Sequence, residues 1–323
     1  MTLYAEDLIE EARPFIEYRK DPRTRIATLT LKRPEALGAV SCGMRLLYGD
    51  LVHEANADDE VKVLVIRSEG EHFGTGADLA AQFQGYEEGP GGSPLHEFRI
   101  DDEDVKYPAQ GSWRYIHQLT DLYSKPLSGC RSLQTFKKVS IIEAKGYCYG
   151  WHFYEAADAD MVIASDDALF GHPAFRYVGW GPRLWTWAEG MGLRRFAEML
   201  FTGRPFTAQE MKEAGFVNSV VPRDRLEAET EKYALACSRS RPTDTVAVQK
   251  TFLELYKQYR GEYMGSQLTS MVEAMWPFMR HEEGDIEFSG ELMAGGVNNA
   301  VKEIEKRFPP DWRMSMGGRR KAE

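Results

Sequence analysis

Residues 25 to 32 alternate, with Ala27, Leu29 and Leu31 on one side and Thr28, Thr30 and Lys32 on the other. That pattern predicts a half-buried strand, stopped by Pro34. From Ser41 to about Ala55 the apolar positions Met44, Leu47, Tyr48, Leu51, Val52 and Ala55 follow helical spacing, with Ser41 placed to cap the first turn. The run VKVLVIR at 61 to 67 then predicts a buried strand, and Val139 to Ala144 predicts another. Between them, Leu119 to Phe136 has helical periodicity. Further on, Gly192 to Arg204 and Phe206 to Ala214 are expected as helices, the second opened by a Thr207/Glu210 capping box. Val217 to Val221 is a short strand ended by Pro222, and long helical patterns, including Thr245 to Tyr259, follow Asp224. Strand, helix and strand recur, which predicts an α/β chain.

Two stretches depart from plain alternation. In Lys145 to Ser165, a strand end and tight turn at Gly146 and Gly150 lead into a short helix from Trp151 to Ala159 and then an apolar strand from Met161. In Ser68 to Asp78, a loop with three glycines leads into the run LAAQF. A helix opening directly after a glycine turn presents first-turn N–H groups and the positive end of its dipole. Two such turns can aim two N–H donors at one oxygen that carries developing negative charge.

Composition narrows the possibilities. Of 323 residues, 43% are hydrophobic, enough for a sizeable core, and no internal stretch has linker composition. With 40 basic and 50 acidic side chains the net charge is −10, which disfavours nucleic acid and anionic membrane as main partners. Cys42, Cys130, Cys148 and Cys237 are widely spaced without a CxxC pair and suit a reducing compartment. The N-terminus has no signal-peptide pattern, and no apolar run approaches about 18 residues. A soluble, cytoplasmic protein is expected. No HExxH motif, cysteine pairing or GxGxxG after a strand points to a metal, flavin or nicotinamide site.

In chain order, RIATLTLKRPEALGAVS, DDEVKVLVIRSEGEHFGTGADL, KGYCYGWHFYEAADADMVIAS, ALFGHPAF and FTGRPFTAQEMKEAGFVNSVVP resemble the crotonase (enoyl-CoA hydratase/isomerase) superfamily over about Arg25 to Arg241. The resemblance implies a spiral of repeated ββα units with a C-terminal helical trimerisation region. It divides the chain into an extension (1–24), a core (25–222) carrying an inserted segment at about 82–124, a helical oligomerisation region (223–280) and a tail (281–323), the last expected to fray or to cover a neighbouring subunit. It also implies an acyl-CoA substrate, with CoA as part of that substrate and no permanently bound cofactor, and a homotrimer or dimer of trimers. The insertion, with its EEGPGGSP run and several aromatics, reads as a lid over the acyl pocket or as a surface loop.

Residue by residue, the family's oxyanion donors fall on the N–H groups of Ala77 and Trp151, and its CoA contacts on Lys32, Arg33, Leu37, Gly76 and Leu79. Lys32 and Arg33 read equally well as a solvated basic turn. Two departures matter. Trp151 stands where the family has the middle glycine of a GGG, so a bulky side chain threatens to crowd the thioester. The two hydratase glutamates fall on Tyr154 and Ala174, so neither carboxylate is present, and Glu155 is turned about 100° away on the helix. His152, Tyr154 and His172 fall at family pocket positions as candidate proton handlers. Trp180, Trp185 and Trp187 are expected as an apolar wall, and Arg183 as an anion contact. For the histidines and tryptophans, ordinary structural packing is the competing explanation. Three classes stay open: an enzyme forming an enolate for isomerisation, addition and elimination, or retro-Claisen C–C cleavage; a catalytically silent acyl-CoA-binding protein; and a structural member that binds no CoA.

Overall fold

The computed structural model describes residues 6–79, 108–109, 112–124, 131–177, 179–275, 278–286 and 296–320. Its main sheet has the strands β1 (Ile16–Asp21), β2 (Ile26–Leu31), β3 (Val63–Ser68), β4 (Val139–Ala144), β6 (Met161–Ser165) and β9 (Ser219–Val221), paired in that order. β1 runs antiparallel to β2, and every later pairing is parallel. A smaller sheet joins β5 (Tyr147–Tyr149), β7 (Leu169–Gly171) and β8 (Phe206–Thr207).

Period-two alternation assigns the faces of the main sheet. Leu29, Leu64, Ile66, Ile142, Val162 and Ala164 point into the larger core, where α2 (Cys42–Ala57) supplies Met44, Leu47, Tyr48 and Val52 and α4 (Trp151–Asp158) supplies Trp151, Phe153 and Ala156. Val63, Val65, Ile141 and Ile163 point the other way, onto Leu226 and Ala234 of α8 (Leu226–Arg239). The Ser41 hydroxyl accepts from Met44 N–H at 3.2 Å, and α7 (Ala208–Glu213) opens with the expected Thr207/Glu210 capping box. α5 (Leu184–Met191) and α6 (Leu193–Thr202) lie between these, and α9 (Thr243–Tyr259) and α10 (Glu262–Ala274) follow α8.

Several expectations are corrected. The 1–24 extension contributes α1 (Glu6–Ala12), packed on α2, and the edge strand β1; charged Glu17, Arg19 and Lys20 masked that strand's alternation. The helix placed at Leu119 to Phe136 runs instead as α3 (Trp113–Ser124), and residues 131–136 turn without helix. α3 buries Tyr115, Ile116 and Leu119 against Ala274 of α10, so the last part of the 82–124 segment is core helix. Residues 80–107, and with them the lid question and most of the run LAAQF, lie outside the described residues, as does Cys130. α8 covers a sheet face, whereas the 223–280 division had grouped it with the oligomerising helices.

The described residues of the tail at 296–320 pack against the core of their own chain. α11 (Val297–Glu305) buries Ala300 and Ile304 beside Leu79 and Tyr177, and α12 (Met316–Arg320) follows a turn in which Met314 is buried. Tyr149 Oη donates to Met314 O and Met316 N–H donates to Tyr147 Oη, each at 2.8 Å. No described helix is long and apolar enough to cross a membrane.

Candidate active site

The two glycine turns meet. The loop 73–76 forms a short ladder with the β5 strand: Phe73 N–H donates to Lys145 O (2.7 Å), Gly74 N–H to Tyr147 O (2.7 Å) and Tyr149 N–H to Gly74 O (3.0 Å). At the crossing, a Cβ on Gly76 would stand 3.2 Å from Gly150 Cα and 3.4 Å from Trp151 N. Gly76 has φ +105° and Gly150 has φ +55° with ψ −122°, conformations that side-chain-bearing residues rarely adopt. The pair thus permits an approach that any Cβ would obstruct.

Ala77 lies next to this crossing. Val40 N–H donates to Gly76 O (2.9 Å) and Asp78 N–H to Val40 O (2.8 Å), so in extended backbone the intervening Ala77 N–H points away from Val40. Trp151 is the first residue of α4, one of the first-turn N–H groups outside the helix's own ladder. Its indole is turned into the core. It is 2% exposed and packs edge-on to Tyr48, with ring centroids 4.9 Å apart. The side chain takes a core position, while the Trp151 backbone opens α4 beside the crossing.

His152 supports the same loop from beneath. It is fully buried, its Nδ1 accepts Gly76 N–H at 3.2 Å, and a Cβ on Gly74 would fall 2.1 Å from its ring. Burial pushes its pKa down to about 3, with the Tyr149 backbone opposing, so the ring is neutral and serves as an acceptor. This is a positioning role, set apart from the pair that Tyr154 forms.

Tyr154 Oη lies 3.4 Å from His172 Nε2. The wall behind them is Trp187, which is fully buried, stacks on Phe153 at 4.7 Å and lies 5.6 Å from each of the Tyr154 and His172 rings. His172 is also held down to about 3 by burial, with the Trp180 backbone opposing. Of the three tryptophans expected as a wall, only Trp187 joins this cluster. Trp180 Nε1 donates to Thr269 O (2.9 Å), and Trp185 packs against Gly265, so both dock α10.

The two acidic side chains that follow Tyr154 on α4, Glu155 and Asp158, are both buried. Tyr48 Oη donates to Glu155 Oε2 at 2.8 Å, and burial raises the Glu155 pKa well above the usual carboxylate range. Asp158 is buried between Arg131 (3.1 Å) and Arg183 (3.1 Å), and the two guanidiniums outweigh its burial and lower its pKa. Arg183, fully buried, also donates to Tyr123 O and Pro182 O, and so acts as structural glue where an anion contact was expected. Glu155 faces away from Tyr154's pocket, as helical geometry required.

Among the implied CoA contacts, Arg33 makes a 2.7 Å ion pair with Asp78, tying its turn to the residue after Ala77. Leu37 stands 48% exposed at the end of that turn and Lys32 is half-buried beside it. Leu79 instead packs against α11, which composition alone did not signal. Among the described residues no cluster of three or more His, Cys, Asp or Glu could hold a metal ion.

The chain as a whole has known relatives. The enoyl-CoA hydratase/isomerase family model matches residues 110–280, more than half of the chain. The chain belongs to the enoyl-CoA hydratase/isomerase family. Family relatives include a putative enoyl-CoA hydratase of Mycobacterium tuberculosis, 27% identical over 224 residues that make up 68% of this chain and 67% of the relative. A mevalonyl-coenzyme A hydratase of Aspergillus fumigatus is 27% identical over 303 residues, covering 91% of this chain and 93% of that one. The crystal structure of a probable enoyl-CoA hydratase from Mycobacterium thermoresistibile superimposes with a TM-score of 0.65 at 28% identity, over 81% of this chain and 96% of the other. The crotonase fold expected from the motifs is thereby shown.

Proposed function

We propose that this family member polarises the carbonyl of an acyl-CoA thioester between Ala77 N–H and Trp151 N–H and carries its chemistry through the resulting enolate. The observation that supports this best is the glycine crossing, where a Cβ on Gly76 would stand 3.2 Å from Gly150 Cα and 3.4 Å from Trp151 N. Backbone donors held this way add charge stabilisation to the transition state without reorganising. Lys32, Leu37 and the Gly76 backbone contact CoA in this reading, and Arg33 holds the turn that presents them. CoA enters and leaves as part of the substrate. The Tyr154 hydroxyl, next to a neutral His172, donates a hydrogen bond to the enolate or orients a water. With no carboxylate at 154 or 174, isomerisation or addition and elimination by a route other than two-glutamate hydration fits best.

The neutral Tyr154–His172 pair also favours a second reading, retro-Claisen cleavage of a β-dicarbonyl thioester, in which the pair orients the attacking water. A silent acyl-CoA-binding protein is the competing class. Copies of the chain associate as trimers or paired trimers in this account. Its support is the apolar row Val248, Phe252, Leu255, Tyr256 and Tyr259, spaced along one face of α9 and exposed in the single chain.

Incubation with saturated, α,β-unsaturated and β-keto acyl-CoA thioesters, followed by mass spectrometry, separates these readings by product mass. Tyr154→Phe is expected to slow conversion by roughly tenfold to a hundredfold with substrate binding retained. Binding of every thioester without conversion of any would establish the silent class.

A further inference from the structure

The carboxylates absent at 154 and 174 have a counterpart in a distant part of the chain. α10 lies across α3 and against α5, and Thr269 fixes which face it turns to the 172–183 segment. Trp180 Nε1 donates to Thr269 O (2.9 Å), and the Thr269 hydroxyl donates to Pro182 O (3.2 Å). Glu273 follows one helical turn later on that face. Its Oε2 is buried and has no hydrogen-bond partner among the described residues. Arg183, whose guanidinium lies 5.6 Å from the Tyr154 ring centroid, is the cation that acts on it, and Glu273 acts in turn on Tyr177. A buried carboxyl oxygen left unsatisfied is costly to the fold and calls for a functional reason.

We propose that Glu273 is the acid–base residue of the enolate reaction, delivered by α10 from the face it turns to the 172–183 segment, where the Arg183 guanidinium lies beside the Tyr154 ring; this rests on the enolate reading above. As a carboxylate, Glu273 takes the proton from the substrate α-carbon. The C–H electron pair becomes the enolate C=C bond, and the thioester oxygen takes up the charge between Ala77 and Trp151. Return of the proton from Glu273 reforms a C–H bond, with no oxidant or reductant required.

The protonation balance suits this role. Burial raises the Glu273 pKa to about 7, with Arg183 opposing, whereas His152 and His172 stay neutral down to about 3. A base is most effective when its pKa lies near the working pH. Among the described residues, the other titratable groups on or against α10 include its own Glu262, paired with buried Arg131, Arg260 at its start, paired with Glu189 of α5, and Tyr115 and Tyr123 of α3, while α5 turns Trp185 toward Gly265. Helical periodicity could place Glu273 on a face of α10, but the partner across that face is set only by the tertiary fold.

The test uses full-length protein with butanoyl-CoA in deuterium oxide, across a range of pH. The wild type is expected to incorporate deuterium at the α-carbon, with a rate that rises through a limb near pH 7. Glu273→Gln is expected to slow exchange by about a hundredfold or more, with butanoyl-CoA binding kept and the limb gone, while Glu273→Asp keeps the limb at a reduced rate. Wild-type exchange with an unchanged rate and limb in Glu273→Gln overturns the assignment of Glu273 alone. Loss of butanoyl-CoA binding in Glu273→Gln overturns it in favour of a structural role. Absence of exchange in the wild type overturns the enolate reading as well.

Discussion

The proposed oxyanion half of this site is backbone, built where Gly76 crosses Gly150, whereas the proposed proton-handling half is side chains, among them Tyr154 and His172 against Trp187. The backbone half is held by a ladder from Phe73 to Tyr149, by the His152 acceptor beneath Gly76, and by two left-handed or otherwise glycine-restricted turns. Its geometry depends on conformation, so the substitution of tryptophan at 151 leaves it standing. The side-chain half depends on residue identity, and there the hydratase pattern has been replaced. On the proposed mechanism, the backbone means of stabilising an enolate is kept while the groups that move the protons differ.

The sharpest way to break the backbone half is Gly150→Ala. The added Cβ would meet Gly76 Cα at 3.1 Å in a conformation that favours glycine. Displacing one oxyanion donor is expected to cost on the order of a hundredfold to a thousandfold in turnover, beyond the effect of Tyr154→Phe on the same substrate. Steady-state kinetics on both variants would show it, and equal losses would blur the division between the halves.

A smaller effect joins the halves, because each contains one buried neutral histidine. His152 and His172 have folded-state pKa values of about 3 against an ordinary 6.5. Between those values the unfolded chain binds more protons, so their contribution to stability is complete above about pH 6.5 and is lost as pH falls toward about 3. The expected slope is up to ~1.4 kcal/mol per pH unit for each histidine. Denaturant melts of the wild type and of His172→Gln across this range would measure it, with a shallower slope in the variant. An identical slope would contradict the assignment of His172 as a buried neutral group.

How much of this was legible in the sequence follows from the range of the interactions. The faces of β2, the Ser41 cap, the Thr207/Glu210 capping box and the turn into α4 depend on neighbours a few residues apart, and all appear as expected. β1 was missed because its charged residues face solvent at a sheet edge, so alternation carried little apolar signal. The tail was missed because its anchor is tertiary: Tyr147 and Tyr149 reach Met316 and Met314 across more than half the chain. The division of labour between His152 and His172 was equally hidden, since both are histidines at family positions and only packing separates the ring under Gly76 from the ring beside Tyr154.

The tail carries the smallest expected effect. Tyr149→Phe removes one buried hydrogen bond to Met314 O and should cost about 1 kcal/mol of stability, more if the carbonyl is left unsatisfied. Turnover should change little if the tail only braces the β5 strand. A large loss of turnover without a loss of stability would move the tail into the site itself.

The central claim is that the crossed glycine turns stabilise an enolate, and α-deuterium uptake by a saturated acyl-CoA in deuterium oxide tests it most directly, because exchange requires no completed reaction. The account predicts deuterium at the α-carbon of butanoyl-CoA with wild-type protein and its near abolition in Gly150→Ala. Tight binding of butanoyl-CoA to the wild type, with no deuterium uptake at any pH from 6 to 9, would contradict it.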